Sequence, residues 1–184
     1  MKKLRPYIVE KECLRFVGKC VKSENEDAVQ EMIGSLFDQM NEIFANVEEP
    51  ADEKFYGISA NYVNGSADSI KTYWLCKEVR SLKKADGEWT KLKSGMETLV
   101  IPATRWLYIP VRYDDEFVMN LAPQEHRDDY SYLTGCVFTW GRKWLKENGY
   151  HEQDFPYELE IYGLYDGYED IGSCANITLA LPIA

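Results

Sequence analysis

Two carboxylates and a phenol alternate with apolar residues in Tyr157-Glu158-Leu159-Glu160-Ile161-Tyr162. Successive side chains of a strand point to opposite faces, so Glu158, Glu160 and Tyr162 share one face while Leu159 and Ile161 share the other. The apolar pair is expected to pack under helices, which leaves the acids for a cleft. A carboxylate beside aromatic rings in a partly dry cleft recognises cations. Coulomb attraction strengthens as water is excluded, and a ring face adds about 0.5 to 2 kcal/mol. The ligand that fits is flat, apolar and positively charged. Burial also disfavours the charged form of a carboxyl and lifts its pKa toward values useful in acid or base catalysis, so Glu160 with Tyr162 could instead activate a water. Spacing does not separate binder from catalyst, nor Glu158 from Glu160 as the central acid.

The rings for such a site are abundant: 14% of the chain is aromatic, with 13 Tyr and 5 Trp, and these side chains line sites for flat or cationic ligands. Tyr56, Tyr73, Trp74, Trp106 and Tyr108 fall in predicted strands, where alternation lets only some of them face a cleft. Trp140 and Trp144 continue the spacing of Leu133 and Val137 along one side of a predicted helix, which suits either core or pocket. Other catalytic constellations are missing. The sequence has no GxSxG and no phosphate-cradling Gly loop, and both His126 and His151 fall in loops. Cys13, Cys20, Cys76, Cys136 and Cys174 are odd in number and form no CxxC pair, so they read as reduced, buried small hydrophobes. Neither a metal nor a cofactor is expected.

The elements that must hold these residues come in a repeated order. Cys13 to Val21 has strand composition, and Ser23 to Asp27 offers helix N-caps. Val29, Met32, Ile33, Leu36, Phe37, Met40, Ile43 and Phe44 then draw one apolar stripe along a helix over 27–46. Phe55 to Val63 and Lys71 to Val79 read as antiparallel strands around Asn64-Gly65-Ser66-Ala67-Asp68. The second half repeats this with a strand from Glu97 to about Val111, a helix over 130–148 capped by Gly149, and strands Tyr157 to Leu164 and Asn176 to Ile183 around the turn-rich 166–170. The expected fold is α+β: two strand-helix-strand-strand repeats with pseudo-two-fold symmetry, forming an antiparallel sheet with both long helices on one face.

Composition narrows the class further. With 184 residues, 45% hydrophobic and 28% charged, the chain suits one compact domain with halves of about 8–95 and 96–184. The 31 acidic and 21 basic residues give a formal charge of −10, which opposes a phosphate backbone, so no direct nucleic-acid contact is expected. The basic stretch from Lys77 to Lys93 is interrupted by Glu78, Asp86 and Glu88 and reads as a solvated connection. Hydrophobic runs are far shorter than the roughly 20 residues of a membrane span, and the basic start lacks the apolar stretch of a signal peptide. The expected location is the cytoplasm, with no membrane partner.

Five stretches carry a family resemblance. They are Trp144-Leu145-Lys146-Glu147-Asn148-Gly149-Tyr150, Phe155 to Tyr162, the closing Ile177 to Ile183, Tyr56-Gly57-Ile58 and Val100 to Trp106. In their order and separations along the chain these resemble the gyrase-inhibitor-like (GyrI-like) small-molecule-binding domain, also found as the effector-binding domain of AraC- and MerR-type regulators. Trp106 stands where the family usually has Tyr, and the Gly common in the next turn is not found in Arg112 to Glu116. The resemblance implies a stand-alone effector-binding domain that binds lipophilic, cationic aromatic molecules, with Glu160 as the central acid. Candidate ligand contacts are Glu160, Tyr162, Glu158, Tyr56, Tyr73, Trp106 and Trp140. It also implies two alternatives: a hydrolase of strained, cyclopropane-containing electrophiles using Glu160 and Tyr162, and a protein that inhibits a partner such as DNA gyrase.

Overall fold

The computed structural model describes residues 4–60, 71–84, 86–154, 157–165, 168–169 and 176–184. In chain order the elements are β1 (Tyr7–Lys11), β2 (Leu14–Ser23), α1 (Glu26–Asp38), α2 (Met40–Ala45), β3 (Phe55–Ala60), β4 (Lys71–Glu78), β5 (Glu97–Ile101), β6 (Thr104–Arg112), α3 (Glu116–Met119), α4 (Tyr130–Glu147), β7 (Tyr157–Tyr162), β8 (Leu164–Tyr165), β9 (Tyr168–Glu169) and β10 (Asn176–Ile183). The chain is α+β and its strands pair antiparallel, as the pattern predicts. Residues 61–70, 166–167 and 170–175, which include the expected first hairpin loop, most of the second and Cys174, lie outside the described residues.

Local chemistry sets the helix ends. The Asn25 side chain accepts from the Ala28 N–H at the start of α1, and the Asp129 carboxylate accepts from the Tyr132 N–H at the start of α4. Gly149, with φ 77°, ends α4 as the expected C′ residue, and the Tyr150 N–H closes back on the Leu145 carbonyl. The helix expected over 27–46 is broken at Gln39, whose N–H reaches both the Ser35 and Leu36 carbonyls and tightens that turn. The strand expected from Glu97 to Val111 is likewise two strands. Pro102 lacks an N–H and restricts Ile101, and pairing stops there.

Two compact units result, one of Glu12–Ala103 and one of Met1–Lys11 with Thr104–Ala184. Within the first the strand order is β3-β4-β2-β5, and within the second β7-β10-β6-β1. Strand, helix, strand, strand therefore appears twice, as β2-α1/α2-β3-β4 and as β6-α4-β7-β10. The fourth strands are exchanged: β1 precedes β2 in sequence but pairs with β6, and β5 precedes β6 but pairs with β2.

In the 12–103 unit, Leu36 and Ile43 pack on Val17, Tyr73, Leu75 and Val79. In the other unit, Leu133, Val137, Phe138 and Leu145 of α4 pack on Leu107, Ile109, Leu179 and Leu181. A Cβ on Gly141 would sit 2.6 Å from Ile109 Cδ1 and 3.0 Å from Leu181 Cδ1, so this glycine is what lets α4 approach the strands. Of the described cysteines only Cys76 is buried; Cys13, Cys20 and Cys136 are partly exposed, a correction to the uniform burial expected.

Candidate functional site

The alternation along β7 is as expected, but the faces are reversed. Glu160 lies opposite Leu179 and Tyr162 opposite Ile177, and both apolar partners belong to the core under α4. Glu158, Glu160 and Tyr162 therefore point to the α4 side, and Leu159 and Ile161 to the other. Both faces are buried here, with Leu159, Ile161 and Thr178 at 0% exposure, so hydrophobicity could not tell one from the other.

Polar residues under a helix require partners, and α4 supplies one. Arg142 donates from Nε to Glu152 at 3.0 Å and from a terminal nitrogen to the second Glu152 oxygen at 3.1 Å. Its terminal nitrogen also pairs with Glu158. Glu158 is only 7% exposed. Burial lifts its pKa, Arg142 pulls it back, and the net direction is upward. One guanidinium thus joins two carboxylates, pinning α4 to β7 and to the 151–154 segment. A cleft of about 290 Å³ has Arg142 and Glu152 of this triad in its lining, with Leu145, Lys146, Tyr150 and His151.

Two residues further along the same face, the Tyr162 hydroxyl donates to Glu160 Oε2 at 2.7 Å. Both side chains are half-buried. Tyr113, just past the end of β6, is near enough to feel this carboxylate: its phenol is pushed well above the usual range by burial first and by the Glu160 charge second. The Tyr113 hydroxyl is hydrogen-bonded to the Thr134 hydroxyl of α4, which in turn donates to the Tyr130 carbonyl at 2.8 Å. Tyr113 and Tyr130 stack with centroids 4.8 Å apart and planes 14° apart, and Tyr130 is half exposed. A carboxylate within electrostatic range of stacked phenols can attract a cation, and ring faces add to that attraction.

The remaining predicted contacts fall elsewhere. Trp106 is 0% exposed and opposite Val9 and Pro182, on the face of β6 away from α4. Tyr56 is packed edge-on to Phe16 and donates its hydroxyl to Glu78 at 3.0 Å. Tyr73 is buried in the core under α1, against Phe37. Trp140 is half-buried at the rim of the α4 core, edge-on to Phe117, and Trp144 stacks on Tyr150. The structure thus gathers Glu158, Glu160 and Tyr162 on one face, adds Tyr113, Tyr130, Thr134 and Arg142, and leaves Trp106, Tyr56 and Tyr73 in packed interiors. Spacing along α4 contained a clue to Arg142: it stands one residue after Gly141 and four before Lys146, at the edge of the apolar stripe. Tyr113 had no local signal. Among the described residues no cluster of three His, Cys, Asp or Glu is placed to hold a metal ion, and no helix is long and apolar enough to cross a membrane.

No protein-family model and no curated protein matches the chain. Solved structures do. The structure of SAV2435 bound to tetraphenylphosphonium aligns with a TM-score of 0.61 over 98% of this chain and 94% of its own, at 10% identity. The chain has the fold of that ligand-bound protein. The C-terminal domain of EcmrR aligns at 0.56, covering 98% of each chain at 12% identity. EcmrR in its complex with DNA aligns at 0.58, covering 98% of this chain and 57% of the longer one at 11% identity. Likeness at these identities is likeness of fold, and function has to be argued from the site.

Proposed function

We propose that the chain is a single GyrI-like effector-binding domain over residues 1–184, with halves of about 8–95 and 96–184, that binds lipophilic aromatic cations as a sensor or sequestering protein in the cytoplasm. The observation that carries this reading is Glu160, half-buried, hydrogen-bonded by Tyr162 and within electrostatic range of Tyr113, which stacks on Tyr130. The fold shared with a protein bound to tetraphenylphosphonium, itself a lipophilic aromatic cation, supports it.

In this reading the Glu160 carboxylate supplies the counter-charge and Tyr162 keeps it oriented, so little side-chain freedom is lost on binding. Phenol faces replace water around the cation, and Trp140, at the rim of the same core, extends the aromatic wall. Binding without turnover is the outcome expected of this reading.

Titration with tetraphenylphosphonium, followed by Trp fluorescence and by mass spectrometry of the recovered ligand, tests this. Saturable quenching with unchanged ligand is expected. No saturable signal would overturn the binding reading, and a hydrolysed or rearranged product with an electrophilic substrate would replace it with the enzymatic one.

A further inference from the structure

Glu158 and Glu160 project from the same face of one strand, about 7 Å apart at their roots. They are not equivalent electrostatically. Glu158 is 7% exposed and paired with Arg142, which also binds Glu152 through two hydrogen bonds. From this difference we infer that Arg142 is a specificity-determining residue that fixes the charge of the bound ligand: by neutralising Glu158 it keeps the site selective for cations carrying one charge. The inference rests on the ligand-binding reading of Glu160 and deepens it.

A second cationic group on a ligand held at Glu160 lies a few ångströms along β7, where it meets Glu158 and Arg142 together. Attraction to Glu158 is reduced by repulsion from the guanidinium, and the second charge loses hydration for little return. Arg142 with Glu158 and Glu152 carries one net negative charge, and removing the Arg142 charge while both carboxylates stay ionised raises this to two. Arg142 touches no ligand in this account. It acts through Glu158.

Ethidium and propidium form a suitable probe pair, since they share one flat cationic ring system and propidium adds a quaternary ammonium on a short arm. Binding of both dyes is measured by fluorescence at several pH values from about 7 to 9, because Glu158 is buried and its pKa is raised, so that the ratio is read where the carboxyl is ionised. The readout is the ratio of the two dissociation constants, which a loss of packing alone would not move. Arg142→Gln is expected to shift that ratio toward propidium by about 10-fold, and Arg142→Lys to keep it near the wild-type value. Glu158→Gln, which leaves Arg142 bound to Glu152 alone, is expected to shift it the opposite way by several-fold, and this variant carries the test if Arg142→Gln does not fold. In Glu158→Gln/Arg142→Gln the ratio is expected to return toward wild type. If the wild-type protein binds ethidium and neither single variant changes the ratio, the inference is overturned while the binding reading stands. If the wild-type protein binds neither dye, the binding reading falls and the inference falls with it.

Discussion

On the helix-facing side of β3 stand Phe55, Gly57 and Ser59, opposite Leu75 and Tyr73 and against Phe44 of α2. On the helix-facing side of β7, which occupies the matching place in the other unit, stand Glu158, Glu160 and Tyr162. Strand order and helix placement repeat, and the chemistry of this layer does not. In the 12–103 unit apolar side chains of α1 and α2 fill most of the helix–strand layer, and a buried charge on this face of β4, Lys77, lies over the Phe44 ring and pairs with Glu53. In the other unit α4 contributes Arg142, and the layer holds an ion-paired triad and a hydrogen-bonded acid. Burying charge and hydrogen-bonding groups lowers stability unless each is matched. Both halves match a buried charge, but the carboxylates Glu158 and Glu160 stand under the helix in the second, so the proposed ligand chemistry uses that half, with the other as its support.

The largest expected effect breaks the supporting unit. A Cβ on Gly18 of β2 would lie 2.2 Å from the Leu75 carbonyl oxygen and 2.5 Å from Cys76 Cβ. Gly18→Ala must separate β2 from β4, and a loss of about 3 kcal/mol in denaturant unfolding is expected. A slightly smaller effect breaks the other unit through charge. Arg142→Met leaves Glu158 buried beside no cation and is expected to cost about 2 to 3 kcal/mol. Adding Glu158→Leu to it should recover most of the loss, because an apolar pair does not require matching. Recovery measured by the same denaturant titration would sharpen the comparison by making this layer resemble that of the 12–103 unit.

Alkali should act on both units, on one through the buried Tyr113 phenol and on the 12–103 unit through two thiols. Burial raises the Cys20 thiol to about 11, with Glu97 adding to the rise and Lys22 opposing it, and burial pushes the Cys76 thiol well above its usual value. A raised folded pKa favours the neutral thiol in the fold. This contribution is complete below an ordinary thiol pKa of about 8.5 and is lost as pH rises through the folded values. Stability measured from about pH 8 to 11 should therefore fall, and Cys76→Ala should flatten the slope. The smallest effects contrast two helix glycines. Gly34 of α1 has open space around its missing Cβ, so Gly34→Ala should raise stability by about 0.5 to 1 kcal/mol. Gly141→Val, at the close approach of α4, should instead lower it by about 2 kcal/mol.

Much of the architecture was legible from periodicity. The stripe from Val29 to Phe44, the caps Asn25 and Gly149 and the paired strands β7 and β10 all follow from local rules of spacing and turn chemistry. The features that were not legible depend on which strand lies beside which. β1 was not foreseen at all, and its pairing with β6 is settled by partners about a hundred residues away. The same holds for the site. Alternation put Glu158, Glu160 and Tyr162 on one face, but only the register with Leu179 and Ile177 shows that this is the α4 face. Glu158 and Glu160 are indistinguishable in sequence; the separation comes from Arg142, sixteen residues from Glu158 and on another element. Tyr113 comes within electrostatic range of Glu160 because β6 and β7 flank β10.

The central claim is that the Glu160 charge binds a lipophilic cation, and the direct test is calorimetry of tetraphenylphosphonium and of neutral triphenylphosphine oxide with the wild-type protein and with Glu160→Gln. Glutamine keeps the shape and a hydrogen-bonding group but removes the charge. Affinity for the cation should fall by about 1 to 3 kcal/mol, or about 5- to 150-fold, since the site is only partly desolvated. Affinity for the neutral compound should change little. Equal, small losses for both compounds would contradict the account and return Glu160 to the role of a structural strand residue hydrogen-bonded to Tyr162.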